Sequence, residues 1–211
     1  AMLKLDVKKT LAPLYAARPG GVQEVEVAAQ RYLMIDGCGD PATSAAYADA
    51  VTAVFAVSYA IKFQVKRGPL AIDYGVMPLE GLWWAEDPLA FASADRRAWQ
   101  WTAMILQPAC VTDALVDEAI AETRRKKALP ALDRLRSELF NEGRCAQILH
   151  VGPFATEAAT IAQLYAYLDA RGGRRGKHHE IYLSDPRRVD PAKWKTLLRQ
   201  GMVLHDAPME G

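Results

Sequence analysis

A chain of 211 residues, 51% hydrophobic and 24% charged, can bury one sizeable core or two small modules, and falls outside the disordered class. Its formal net charge of +1 argues against broad electrostatic capture of nucleic acid or anionic lipid. The basic runs Arg124–Lys127 and Arg171–Lys177 and the pair Arg187 and Arg188 have Asp and Glu around them and read as solvated faces. Cys38, Cys110 and Cys145 lack metal-ligand spacing and suit a reducing compartment. With no apolar signal core and no apolar run read as long enough to span a bilayer, the expectation is a cytoplasmic protein without membrane contact.

Along the chain, Tyr32–Gly37 reads as a strand ending in a glycine turn, and Thr43 and Ser44 as helix caps. Tyr47, Val51, Val54, Phe55, Ser58 and Lys62 then share one helical face, with Ala46, Ala50, Ala53, Val57 and Ile61 beside it. Strands follow at Ala71–Leu79 and Trp99–Leu106, with Leu79–Trp84 as an intervening loop. Between Val111 and Phe140, Val116 and Ile120, then Leu132, Leu135 and Leu139, predict two helices. Ala146–Pro153 repeats the strand and turn, and Thr156 caps a helix that ends at Gly172-Gly173. His178–Ser184 and a segment from Trp194 to Arg199 complete a second strand-helix-strand-strand series, with Tyr182 and Pro186 matching Tyr74 and Pro78. The expected fold is α+β, with modules over 21–110 and 145–205 joined by a helical connector, 111–144.

Alternation in His178–Ser184 puts His178, Glu180, Tyr182 and Ser184 on one face and His179, Ile181 and Leu183, suited to a core, on the other. A carboxylate beside a phenol in mid-strand is either part of a solvated face or, against an apolar cleft, a desolvated base or cation partner. Tyr74, Trp99 and Trp101, with Trp83 and Trp84 nearby, supply flat surfaces for conjugated or cationic ligands. His150, His178, His179 and His205 have no metal-binding arrangement, and no phosphate loop, dinucleotide fingerprint, nucleophile elbow or RNA-binding sheet pattern is present, so neither metal nor cofactor is expected.

Four strings together carry a family resemblance: Leu33–Pro41 (Leu-Met-Ile-Asp-Gly-Cys-Gly-Asp-Pro), Val57–Phe63, Pro78–Trp84 and His178–Arg188. Through them the chain resembles the free-standing branch of GyrI-like proteins over nearly its whole length. The resemblance implies two modules related by approximate two-fold symmetry around a central ligand cleft. Relatives act as effector-binding domains of multidrug-responsive regulators, where a strand Glu meets cationic aromatic ligands, and Glu180 falls at that position. Some free-standing relatives hydrolyse cyclopropane-bearing, DNA-alkylating compounds. On that model Glu180 is the base, Tyr74 or Tyr182 a hydrogen-bond donor to the substrate carbonyl, and Trp101, Tyr59, Phe63, Trp84, Phe154 and His150 ligand contacts. The alternatives are non-catalytic sequestration of an aromatic or cationic compound, and docking on a protein partner in the manner of gyrase-inhibitor relatives. Phe154 stands where the family pattern has Tyr and Gly201 where it has Pro, and Arg67-Gly68-Pro69 reads as a small insertion.

Overall fold

The computed structural model describes residues 1–16, 18–86 and 95–203. In chain order the elements are β1 (Leu3–Leu5), α1 (Val7–Thr10), α2 (Ala12–Tyr15), β2 (Gln23–Val27), β3 (Gln30–Cys38), α3 (Ala45–Arg67), β4 (Ile72–Tyr74) and β5 (Leu79–Trp84). They continue with β6 (Gln100–Leu106), α4 (Asp113–Lys126), β7 (Arg136–Phe140), β8 (Gly143–Val151), α5 (Glu157–Asp169), β9 (Arg174–Tyr182) and β10 (Lys195–Met202). The chain divides into two units, one made of Ala1–Ala12 with Ala29–Phe140, the other of Pro13–Ala28 with the chain from Asn141 onward.

Each unit is a strand-helix-strand-strand module on an antiparallel sheet, so the fold is α+β as expected. Within the first unit the strand order is β5-β6-β3-β7, and within the second it is β2-β8-β10-β9. The same turn opens both modules. Gly39 and Gly152 follow β3 and β8 with φ of +107° and +134°, a backbone region that favours glycine. Their N–H groups donate to Trp99 O at 2.8 Å and Trp194 O at 2.9 Å. Trp99 and Trp194 each follow a short 3-10 turn whose N-cap Asp, Asp95 or Asp190, accepts a backbone N–H. These shared bonds make Trp101 and Thr196 counterparts in the two modules, and through the pairs Trp83–Trp101 and Tyr182–Thr196 they match Trp83 with Tyr182.

That match corrects the pairing of Tyr74 with Tyr182. Tyr74 lies on β4, which joins no module sheet and pairs in parallel with β1. Leu79–Trp84, expected as a loop, is the true third element, with four buried residues in its middle. Pro78 cannot donate a backbone N–H, so the strand starts after it rather than ending there. The second helix expected before residue 140 is a strand as well. Leu132, Leu135 and Leu139 have helical spacing, but Arg136–Phe140 pairs with the open edge of β3, and that pairing overrides the local pattern. Each unit takes its edge strand from outside its module: β2, which precedes the first module in the chain, pairs with β8, and β7, which precedes the second, pairs with β3.

Alanine and β-branched residues let α3 lie close to its sheet, with Ala50, Ala53, Val54, Val57 and Ile61 fully buried. By length and composition α3 also passes as a membrane span, contrary to the expectation that no segment would, yet its apolar stripe is core. Over that stripe Tyr47 meets Trp83 and Trp101 at ring distances of 5.6 and 5.1 Å. Gly37 makes room for this cluster, because a Cβ there would sit 2.3 Å from the Trp101 ring.

In the second unit, Ala146, Ile148 and Leu198 pack under Leu164 and Leu168 of α5. The opposite sheet face buries an ionic network centred on Arg199. Its guanidinium donates to Gln147 Oε1 (3.1 Å), Glu142 Oε1 (3.4 Å) and Leu14 O (2.6 Å), and His179 Nδ1 meets Glu142 Oε2 at 2.8 Å. Gln147 also donates to Pro13 O at 2.9 Å, so two side chains clamp the N-terminal segment onto this face. Burial alone would raise the Glu142 carboxyl, but His179 and Arg199 together bring it below the ordinary value. Gly201 sits just beyond a bulge in β10, where a Cβ would lie 2.6 Å from Arg175 O, which explains a glycine there.

Candidate functional site

Alternation along β9 puts His178, Glu180 and Tyr182 on one face, as read from the sequence. That face is not solvated: Glu180 pairs in register with Leu198, and Leu198 with Ile148, so it shares the face that packs under α5. The Glu180 side chain is 12% exposed. Ile181, on the other face, is fully buried too, so both faces of the strand are interior at this point.

Both Glu180 oxygens are engaged. His178 Nε2 lies 2.9 Å from Oε1, and the Tyr182 hydroxyl donates to Oε2 at 2.8 Å. A second carboxyl, Glu157, arrives from the first residue of α5 and is buried. Burial, followed by the charge and hydrogen bond of Glu180, pushes Glu157 up to about 9 against a small lowering by Thr196. For Glu180, burial pulls upward, but His178, then Tyr182 and Glu157, outweigh it and leave the carboxyl below its usual value. The two carboxyls are thus driven apart, Glu157 toward its protonated form and Glu180 toward its charged one, as expected when two carboxyls share a buried site.

Glu157 enters this pair because the turn before it is locked. His150 Nδ1 meets Thr160 Oγ1 at 2.8 Å and His150 Nε2 meets Pro153 O at 3.2 Å, tying β8 to the first turn of α5. His150 is buried in that role. Phe154 lies in the same turn with its ring 46% exposed, 5.7 Å from Tyr182 and 5.0 Å from Trp194. It gives the second unit an accessible aromatic surface next to the phenol that holds Glu180.

The pair also fixes a pH dependence of stability. A carboxyl whose folded pKa is raised binds a proton that the unfolded chain has already lost, so its effect on stability worsens as pH rises from the ordinary glutamate value toward about 9. Glu157→Gln keeps the shape and a donor toward Glu180 without the ionisation. In urea unfolding it is expected to be more stable than the parent near pH 8, by on the order of 1–3 kcal/mol, with the gap closing near pH 5. Equal stability at both pH values would mean that Glu157 is not the protonated partner.

The remaining sequence candidates lie in the first unit. Trp101 is fully buried between Tyr47 and the space at Gly37. Trp84 is half-buried at the end of β5. Tyr59 and Phe63 lie on the outer side of α3, 48% and 40% exposed, and Arg67 covers the Phe63 ring at 5.0 Å. The Tyr74 hydroxyl is buried without a hydrogen-bond partner, and burial, then Cys110, raises its pKa. Tyr74 also borders an open groove of about 360 Å³ with Lys4, Asp6, Lys62 and Asp73, a mixed-charge lining that contains none of the Glu180 group. Among the described residues no three or more His, Cys, Asp or Glu side chains are grouped to hold a metal, and His205 lies outside those residues.

Of the candidates read from the sequence, Glu180, Tyr182 and Phe154 are brought together by the structure. Glu157, Thr196 and Tyr165, not candidates from the sequence, lie with them. The only sequence signal for Glu157 is an acidic residue at a helix start, which is ordinary complementation of the helix dipole.

No protein of curated function matches the chain. Among solved structures it is similar to an uncharacterised conserved protein from Listeria innocua, with 39% identity over 93% of this chain and 98% of that one and a TM-score of 0.84. A hydrolase from Listeria innocua is 36% identical over the same shares, with a TM-score of 0.79. The EcmrR C-terminal domain shares the fold at 9% identity, covering 85% of this chain and 95% of that one, with a TM-score of 0.52. The family model for the GyrI-like small molecule binding domain matches residues 21–199, and the chain belongs to that family.

Proposed function

We propose that this protein binds flat aromatic or cationic small molecules beside Glu180 and opens cyclopropane-bearing electrophiles with water. The observation that carries this reading is the buried Glu180 carboxylate with a partner on each oxygen, bordered by the exposed Phe154 side chain. An ionised, desolvated Glu180 removes a proton from water as the oxygen attacks a cyclopropane CH2. The strained C–C bond breaks, and its electron pair moves into the conjugated carbonyl, which becomes a phenolate. The phenolate takes up a proton, and Glu180 returns its own to solvent. The net reaction is addition of one water. Tyr182 already donates to Glu180, so its role is to orient the base. The 36% identity to a hydrolase over 93% of the chain agrees with this reading.

Mass spectrometry of a spirocyclopropyl cyclohexadienone incubated with substoichiometric protein is the test. Hydrated phenol in many-fold excess over protein is expected. Intact compound, with quenching of tryptophan fluorescence, would instead make the protein a sequestering binder.

A further inference from the structure

We propose that His178 and Tyr165 are positioning residues that orient the Glu180 carboxylate and fix it as the acceptor of the pair. The inference rests on Glu180 being the base of the site. Three side chains stand in series behind its Oε1. The Arg174 guanidinium lies 4.1 Å over the Tyr165 ring. The Tyr165 hydroxyl is 3.1 Å from His178 Nδ1, with the two rings edge to face. His178 Nε2 is 2.9 Å from Glu180 Oε1. Helix α5 therefore acts on Glu180 twice, through Glu157 in its first turn and through Tyr165 two turns later.

Donor and acceptor rules fix the direction of the link between His178 and Glu180. A carboxylate only accepts, so Nε2 carries a proton whenever Glu180 is charged. Nδ1 then faces a hydroxyl, which donates to a bare nitrogen and accepts from a protonated one. The link to Tyr165 thus survives either state of the ring, and the imidazole cannot turn without losing both partners. His178 is buried, so neither loss would be made good by bulk water.

Among the described residues, three elements bring groups to Glu180. Glu157 comes from α5, Tyr182 and His178 from its own strand, and Leu198 lies in register on β10. Thr196 of β10 bonds Glu157, and Asp169 holds Arg174 at 3.2 Å. Glu180 receives donors on both oxygens, whereas Glu157 Oε1 is buried without a hydrogen-bond partner. This inequality places the charge on Glu180 and the proton on Glu157. Without the donor from His178 the two carboxyls become more alike, and Glu180 is protonated for more of the time.

The test uses the full chain with 13C-labelled glutamate, the Glu180 carboxyl signal being assigned with Glu180→Gln. The protein is titrated by NMR as the parent and as Tyr165→Phe, His178→Ala and His178→Gln. His178→Ala is expected to raise the Glu180 midpoint by about one pH unit or more. Tyr165→Phe should raise it less, and His178→Gln, whose amide can donate from a similar place, should bring it back toward the parent. The acidic limb of kcat for the spirocyclopropyl probe should move in parallel, with KM little changed. Should His178→Ala fail to fold, the nearly isosteric Tyr165→Phe decides. A Glu180 midpoint unmoved in the folded variants overturns the proposal. If the parent does not hydrate the probe, the hydrolase reading falls while the carboxyl titration still decides the positioning role.

Discussion

Glu180→Gln is expected to lower hydration of a spirocyclopropyl cyclohexadienone by about 10²–10⁴-fold, the usual worth of a general base, while retaining most affinity for a neutral aromatic ligand. Gln keeps the volume and its one carbonyl oxygen can still accept from either His178 or Tyr182, but its NH2 only donates and it cannot take a proton from water. A cationic aromatic probe should bind the variant more weakly than the parent, because the one negative charge of the pair is gone. In the parent the rate should follow a bell in pH. Its acidic limb lies below the ordinary carboxylate range, where Glu180 becomes protonated, and its basic limb is near 9, where Glu157 ionises and a second buried charge appears. Full turnover by Glu180→Gln would remove Glu180 from the chemistry, and a flat profile from acid to pH 10 would remove the shared proton.

Arg199→Ala is expected to cost about 3–5 kcal/mol in urea unfolding, the loss typical of breaking a buried ion pair from one side. Glu142 would keep His179 but lose its guanidinium, Gln147 Oε1 would lose its donor, and Leu14 O would be left without the bond that holds the N-terminal segment. Lysine is a poor substitute, because one ammonium cannot reproduce a planar fork reaching three acceptors in different directions. A loss below about 1 kcal/mol would show that the network contributes little net stability against its desolvation cost. The lowered Glu142 pKa adds a sign: its contribution is present at neutral pH and fades as pH falls through the folded-state value.

The legible part of the fold was the local part. Glycine turns, helix caps and strand alternation each depend on a few neighbouring residues, and they placed Gly39, Ser44, Gly152 and the Glu180–Tyr182 face correctly. The repeat was present in the letters too, as Asp95 four residues before Trp99 and Asp190 four before Trp194. The Tyr-Pro rhyme drew attention away from it, since Pro78 precedes a strand whereas Pro186 follows one. Leu139 misled for another reason: its partner, Arg31, is remote in sequence, and pairing of that kind leaves no periodic trace. Glu157 was invisible as a site residue because its raised pKa arises from burial and then from Glu180, on a strand more than twenty residues away.

The chain order of the edge strands bears on how the protein is made. During synthesis β2 emerges first, but its partner β8 follows only after the whole first unit has been translated. Until then the ribosome carries an unpaired strand, a hazard for pairing with other nascent chains. The sequence of β2, Gln-Glu-Val-Glu-Val, places a carboxylate at every second position, a gatekeeping pattern that keeps a waiting strand soluble. The first unit, by contrast, gains its last strand, β7, just before the second unit begins, so its sheet can close on the ribosome while β2 still waits.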